Sequence, residues 1–164
     1  MMLVFQTCKA RYAICDVLRM ERNVENRFHR LLICASAAHK KYCRQRFQEL
    51  DLTEGQPKVL AVLSAMENCL QKELAEACRV EPATMTSLIT KMEEKGLIVR
   101  ERETVSGGKR AYRISLTAEG KRVAFEVKEI IHSAEQQCFE GFTQEEIEVF
   151  LKQFSRVAEN LENV

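Results

Sequence analysis

The chain has 164 residues, with 25 Lys plus Arg against 24 Asp plus Glu and a formal net charge of +1. That balance excludes a polybasic tail or coat protein, but not specific DNA binding, which needs only a local positive surface. With 46% hydrophobic residues, six Gly and two Pro, the chain is neither disordered, fibrous nor an all-β barrel, and its length suits one domain or two small lobes sharing a core.

No apolar run approaches the roughly 20 residues that cross a bilayer. Lys9, Arg11, Asp16 and Arg19 interrupt the N-terminal stretch where a secretion signal needs a continuous apolar centre. A cytoplasmic protein without membrane contact is expected. Seven cysteines, at 8, 15, 34, 43, 69, 78 and 138, are odd in number and form no C-x-x-C pair. Reduced thiols are therefore expected, with no metal site and no cofactor.

Residues 1–50 carry ten Lys/Arg and four Asp/Glu, a net of +6; 51–70 carry one and three, net −2. Residues 71–113 carry nine and seven, net +2, and 114–164 carry five and ten, net −5. The near-neutral total hides a basic front and an acidic back.

Residues 1–19 are an extension with two readings. Met20 is an alternative start, or Phe5, Cys8, Tyr12, Cys15 and Leu18 line an extra helix. From Val24 to Glu49 no Pro or Gly occurs, and Phe28, Leu31, Leu32, Ala35, Ala38, Tyr42 and Phe47 recur at helical spacing, which predicts one long helix. Thr53, with Gln56 three residues on, has the pattern of a capping box opening a second helix, with Pro57 in its first turn. A short third helix is predicted over Gln71–Cys78. A fourth opens at Pro82, with Met85, Leu88, Ile89 and Met92 at i, i+3, i+4 and i+7 and Gly96 at its end.

After Gly96 the period changes. Leu97–Glu103 and Arg110–Leu116 read as strands joined by a tight turn at Ser106-Gly107-Gly108, a β-hairpin. Thr117 caps a long helix over 118–138. Thr143 with Glu146 forms a capping box before a final helix carrying Ile147, Phe150, Leu151, Phe154, Val157 and Leu161.

Helix, turn, helix and hairpin in under fifty residues is the order of a winged helix-turn-helix. The fold class is mostly α with a small β-hairpin wing. The expected regions are the extension 1–19, an N-terminal dimerisation helix 20–52, a DNA-binding lobe 53–117 and C-terminal dimerisation helices 118–164. On the fourth helix, the face opposite its apolar stripe carries Ala83, Thr86, Ser87, Thr90 and Lys91, joined in the first turn by Thr84. These residues suit base edges and phosphates, with Ala83 or a Thr methyl against thymine. The hairpin tip adds Lys109, Arg110 and Arg113 for phosphates or a narrow minor groove.

Several linked motifs resemble those of the MarR-type winged-helix transcriptional regulators. They are Leu52-Thr53-Glu54-Gly55-Gln56, Glu73-Leu74-Ala75-Glu76, Pro82 to Ile89, Gly96-Leu97-Ile98-Val99-Arg100, Arg110-Ala111 and Leu116-Thr117-Ala118-Glu119-Gly120. The resemblance runs from about residue 24 to the end. It implies a homodimer that binds a pseudo-palindromic operator in double-stranded DNA and is released by a small-molecule inducer or an oxidant.

Three positions depart from the family pattern. Gly108 stands where an Asp normally orients the wing Arg, here Arg110; Pro57 replaces a common aromatic; and Ser87 replaces a common Arg. Base readout is expected to lean on hydroxyls, Ala83 and DNA shape.

By the same resemblance, an inducer pocket draws on His29, Ile33, Tyr42, Phe47 and Val59, although such stripes are more often simple core. Redox-responsive relatives place a reactive Cys where this chain has His29. The nearest thiol, Cys34, is more than a turn away, and with Cys43 it lies in a basic stretch containing Lys40, Lys41 and Arg44 that favours a thiolate, although buried, inert thiols are the favoured reading. His29, His39 and His132 form no tight ligand cluster. No nucleophile elbow, phosphate loop or catalytic triad pattern is present, so no catalytic residue and no enzyme activity is expected. The most favoured function is a homodimeric repressor released by a small ligand. The alternatives are a thiol-based redox regulator of the same fold, or a winged-helix protein-interaction module without DNA binding.

Overall fold

Seven apolar positions at helical spacing before residue 50 do produce a helix, α1 (Arg27–Glu49). α2 (Gln56–Met66), β1 (Cys69–Leu70), α3 (Gln71–Ala77), α4 (Pro82–Glu94), β2 (Ile98–Val105), β3 (Lys109–Leu116), α5 (Ala118–Cys138) and α6 (Gln144–Glu162) follow. The computed structural model describes residues 27–105 and 109–163, without the side-chain surroundings of Val105, Lys109 and Arg110. The extension 1–19, the start of the first helix at Val24 and the turn Ser106-Gly107-Gly108 lie outside the described residues.

The chain divides into two compact units, residues 1–42 and 43–164. In the first, Phe28, Leu31, Leu32 and Ile33 are exposed on α1. In the second, one core joins Leu52, Val59, Leu60 and Leu63 to Leu74, Cys78, Met85, Ile89 and Met92, then to Leu97, Ile98, Ile114, Val123 and Val127. Each fully enclosed Leu, Ile or Met contributes about 1.5–3 kcal/mol by leaving water.

The predicted start of α2 needs correction. The helix begins at Gln56 with Gly55 as its N-cap and no side-chain cap. The reason is Pro57. Had Thr53 been the cap, residue 57 would have to donate the first intrahelical hydrogen bond to the Thr53 carbonyl, and proline has no N–H. Instead Gln56 N donates to Thr53 O at 3.1 Å, and Thr53 N donates to Gln56 Oε1 at 2.9 Å. Half of the box survives as a turn.

α4 ends as its glycine predicts. Gly96 has φ 69°, Leu97 N donates to Met92 O at 2.9 Å and Gly96 N donates to Glu93 O at 2.8 Å, the paired bonds of a Schellman motif. The chain then turns directly into β2.

The sheet has three strands rather than two, in the order β1-β3-β2, all neighbours antiparallel. β1 went unpredicted because two residues carry no periodicity; only pairing with β3, Cys69 opposite Ile114 and Leu70 opposite Arg113, makes them a strand.

Thr117 joins wing to helix. Its hydroxyl donates to Gly96 O at 2.6 Å and accepts from Gly120 N at 2.9 Å, while Thr117 N donates to Leu97 O at 3.1 Å. A β-carbon on residue 120 would stand 1.9 Å from Leu97 O, so only glycine fits. α6 carries the predicted capping box. Thr143 N donates to Glu146 Oε2 at 2.8 Å and Glu146 N donates to Thr143 Oγ1 at 3.3 Å, and the hydrogen bonding of the Glu146 carboxyl to Thr143, its backbone N–H first, holds that carboxyl below its ordinary pKa.

Candidate nucleic-acid interface

α4 is anchored on one side by Met85, Ile89 and Met92, all fully buried. Its opposite side presents Ala83, Thr84, Thr86, Ser87 and Lys91 to solvent, with Thr90 half-buried. The hydroxyls are not equivalent. Thr86 Oγ1 donates to Pro82 O at 2.9 Å and Thr90 Oγ1 donates to Thr86 O at 3.0 Å. Both threonines spend their single donor hydrogen on the helix backbone, which leaves lone pairs and methyl groups for a base. Thr86 and Thr90 therefore offer a base acceptors rather than donors, while Thr84 and Ser87 are exposed hydroxyls of this face for which no such bond is seen among the described residues.

In the wing, β2 and β3 pair from Ile98–Leu116 to Val105–Lys109, with Arg110 opposite Thr104. This register puts Lys109 and Arg110 beside the turn, while their side chains lie outside the described set. Arg113 is not at the tip. It stands opposite Glu101 and Leu70, four residues further along the strand, or roughly 13 Å at 3.3 Å per residue. Its Nε donates to Glu103 Oε2 at 2.6 Å and its guanidinium reaches Asn68 O at 3.2 Å. That hydrogen bond pulls the Glu103 carboxyl below its ordinary pKa and pushes the Arg113 guanidinium up. The placement at the tip is thus corrected, and the charge of Arg113 braces the sheet.

A second brace joins wing to α4. Arg100 pairs with Glu93 and stacks 5.8 Å from the centre of the Tyr112 ring. Sequence reasoning passed over Arg102, which is exposed opposite Tyr112. It also passed over Gln71, half-buried at the start of α3, whose Nε2 donates to Thr86 Oγ1 at 2.9 Å. Charge counting could have found the first; nothing local marks the second.

The suggested inducer residues belong to both compact units. His29, Ile33 and Tyr42 are exposed residues of the first compact unit. Phe47, in the second, packs half-buried against the core, and Val59 is fully enclosed within it. Among the redox candidates, Cys34 is half-buried and Cys43 is buried. Burial pushes the Cys43 thiol above its ordinary pKa of 9.0, outweighing the opposing effect of Arg46. The basic stretch therefore does not make Cys43 a thiolate. Cys69 and Cys78 are likewise raised by burial. No metal-binding cluster occurs among the described residues, and no described helix is long and apolar enough to cross a membrane.

A helix-turn-helix whose second helix is supported from behind and bare in front, followed by a paired wing, defines the winged helix-turn-helix class. Residues 52–107, the helix-turn-helix and the first wing strand, match the family model described as the MarR family. Solved structures agree. The transcriptional regulator PA3341 is 28% identical with a TM-score of 0.72 over 84% of this chain and 99% of its own. MepR of S. aureus, solved as a DNA complex, is 24% identical with a TM-score of 0.72 over 82% and 97%. NadR, solved with 4-hydroxyphenylacetate, is 21% identical with a TM-score of 0.66 over 84% and 95%.

Proposed function

We propose that this chain is a homodimeric repressor that occludes a promoter by binding a pseudo-palindromic operator and is released by a small ligand. The observation that carries the DNA-binding part is the solvent face of α4, where Ala83, Thr84, Ser87 and Lys91 stand exposed on a helix whose other side is fully buried. Lys109 and Arg110 beside the wing turn supply the phosphate contacts. MepR, of similar fold, was solved on DNA.

The dimer is supported by α6, a 19-residue helix without a single buried residue, along which Val149, Phe150, Leu151, Phe154 and Leu161 lie exposed. An apolar stripe of that kind marks an interaction surface. A twofold dimer uses the same surface on both copies, and the basic 1–50 and acidic 114–164 segments offer complementary fields to set its register. The regions 20–52 and 118–164 are the dimerisation elements in this reading, and 53–117 is the reading head. Two recognition helices about 34 Å apart then meet successive major grooves. Release requires only that a ligand favour a dimer with another spacing, for which a coupling of about 1–3 kcal/mol is typical. The ligand-bound NadR structure supports a small-molecule effector. The thiol alternative loses support from the burial of Cys43.

Electrophoretic mobility shift with the DNA upstream of the chain's own gene tests the proposal. A sequence-dependent, salt-sensitive shift is expected from a species that light scattering sizes as a dimer. Absence of any such shift would sink it.

A further inference from the structure

Gln71 is the first residue of α3, tied in place on both sides. The preceding Leu70 is paired with Arg113 of β3, and Leu70 N donates to Glu73 Oε2 at 2.8 Å. From this fixed point the Gln71 side chain reaches across to the solvent face of α4, where Nε2 donates to Thr86 Oγ1 at 2.9 Å. Thr86 in turn donates to Pro82 O at 2.9 Å. Gln71 also lines an open groove with Pro82 of α4 and with Ala111 and Tyr112 of β3, where both helices of the motif and the wing converge.

The remaining hydrogen-bonding capacity of this pair is specific. An amide carries two N–H hydrogens and one carbonyl oxygen. Thr86 occupies one hydrogen, and among the described residues no other hydrogen bond to the Gln71 side chain is seen. One donor hydrogen and the carbonyl oxygen are left, the set that complements the N7 acceptor and N6 donor of adenine in the major groove.

We propose that Gln71 is a base-reading residue that acts as a unit with Thr86: Thr86 holds the amide, and the free edge of Gln71 reads one adenine in each half-site. The assignment rests on the DNA-binding reading above. It goes beyond that reading in placing a specificity determinant on α3 rather than on the recognition helix.

The test is selection from a pool of duplexes with a randomised core, using the full-length wild type and the variants Gln71→Ala, Gln71→Glu, Thr86→Val and the double variant, each checked for an unchanged melting temperature. The wild type is expected to prefer A·T at one position per half-site. Gln71→Ala should relax that preference about tenfold without altering the salt dependence. Gln71→Glu, which keeps the acceptor and loses the donor, should move the preference from adenine toward cytosine. Thr86→Val should relax the same position, and the double variant should lose less than the two single losses combined.

A uniform loss of affinity for Gln71→Ala with a shallower salt dependence would make it a phosphate contact and overturn the assignment, as would an unchanged motif. Thr86→Val acting at a different position would overturn the joint action. Failure of the wild type to enrich any sequence would instead overturn the DNA-binding reading, and this assignment with it.

Discussion

Gly120→Ala sets two physical effects against each other. Residue 120 is the third of α5, where helix propensity alone favours Ala over Gly by up to about 1 kcal/mol. The tertiary contact points the other way: the new β-carbon would lie 1.9 Å from Leu97 O and 2.9 Å from its carbonyl carbon, and backbone atoms cannot swing aside as a flexible side chain can. Relieving the overlap must separate α5 from the start of β2. Overpacking of this kind costs about 1–3 kcal/mol. The shift also strains the Thr117 cap, which bonds Gly120 N and Gly96 O together and whose loss costs about 0.5–2 kcal/mol. After subtracting the propensity gain, a net destabilisation of about 0.5–4 kcal/mol is expected. With a urea slope of about 1–3 kcal/mol/M for a small protein, the unfolding midpoint should fall, by about 1 M at the middle of these ranges. Urea unfolding followed by circular dichroism at one fixed protein concentration measures this, since the proposed dimer would make stability depend on concentration. A midpoint equal to or above that of the wild type would refute the close-approach argument and leave propensity in charge.

Three further outcomes separate roles that the sequence ran together. Arg113→Ala should lower the melting temperature, because it strips Glu103 of its partner, while leaving the salt dependence of DNA binding intact; Arg110→Ala should do the reverse and reduce the salt slope by about 1. Equal salt slopes for the two variants would contradict this division. Phe154→Glu should raise the dimer dissociation constant at least tenfold, or about 1.4 kcal/mol, in sedimentation or light scattering, with the lobe still folded; an unchanged dimer would remove α6 from the interface. Cys43, Cys69 and Cys78, whose pKa values are raised by burial above 9.0, keep their contribution to stability below about pH 9 and lose it as the pH rises through their folded-state values. Urea midpoints should therefore hold to about pH 9 and decline above it, and native alkylation should reach exposed Cys138 before these three.

The order of elements other than β1, the apolar stripe of α4 and the ends of α4, α5 and α6 were legible because each depends on residues close in sequence. The Thr143–Glu146 box and the Gly96 terminus are local hydrogen-bonding devices, and they appear where they were expected. The start of α2 could have been placed correctly as well, since the missing N–H of Pro57 is itself a property of the sequence.

The site was less legible. Strand alternation correctly marked Arg113 as part of the wing, but only the register, with Arg113 opposite Glu101 and Glu103 two pairs nearer the turn, shows that its charge is engaged within the sheet. A helical wheel placed Thr86 and Thr90 on the solvent face without revealing that their hydrogens turn back to the helix. The bond between Gln71 and Thr86 spans fifteen residues and two elements, and no periodicity encodes it.

By itself the sequence determined the helix and strand pattern, the stripe that buries α4 and the near-neutral charge with its basic front and acidic back, because hydrophobic period, capping and composition are short-range or additive. The three-stranded sheet, the glycine at 120 beneath the wing, the suppression of Cys43 and the division of wing arginines into one engaged by Glu103 and one beside the turn were decided by tertiary structure. Each depends on which distant groups meet, and a long-range contact changes the chemistry of a residue without leaving any mark on its neighbours in the chain.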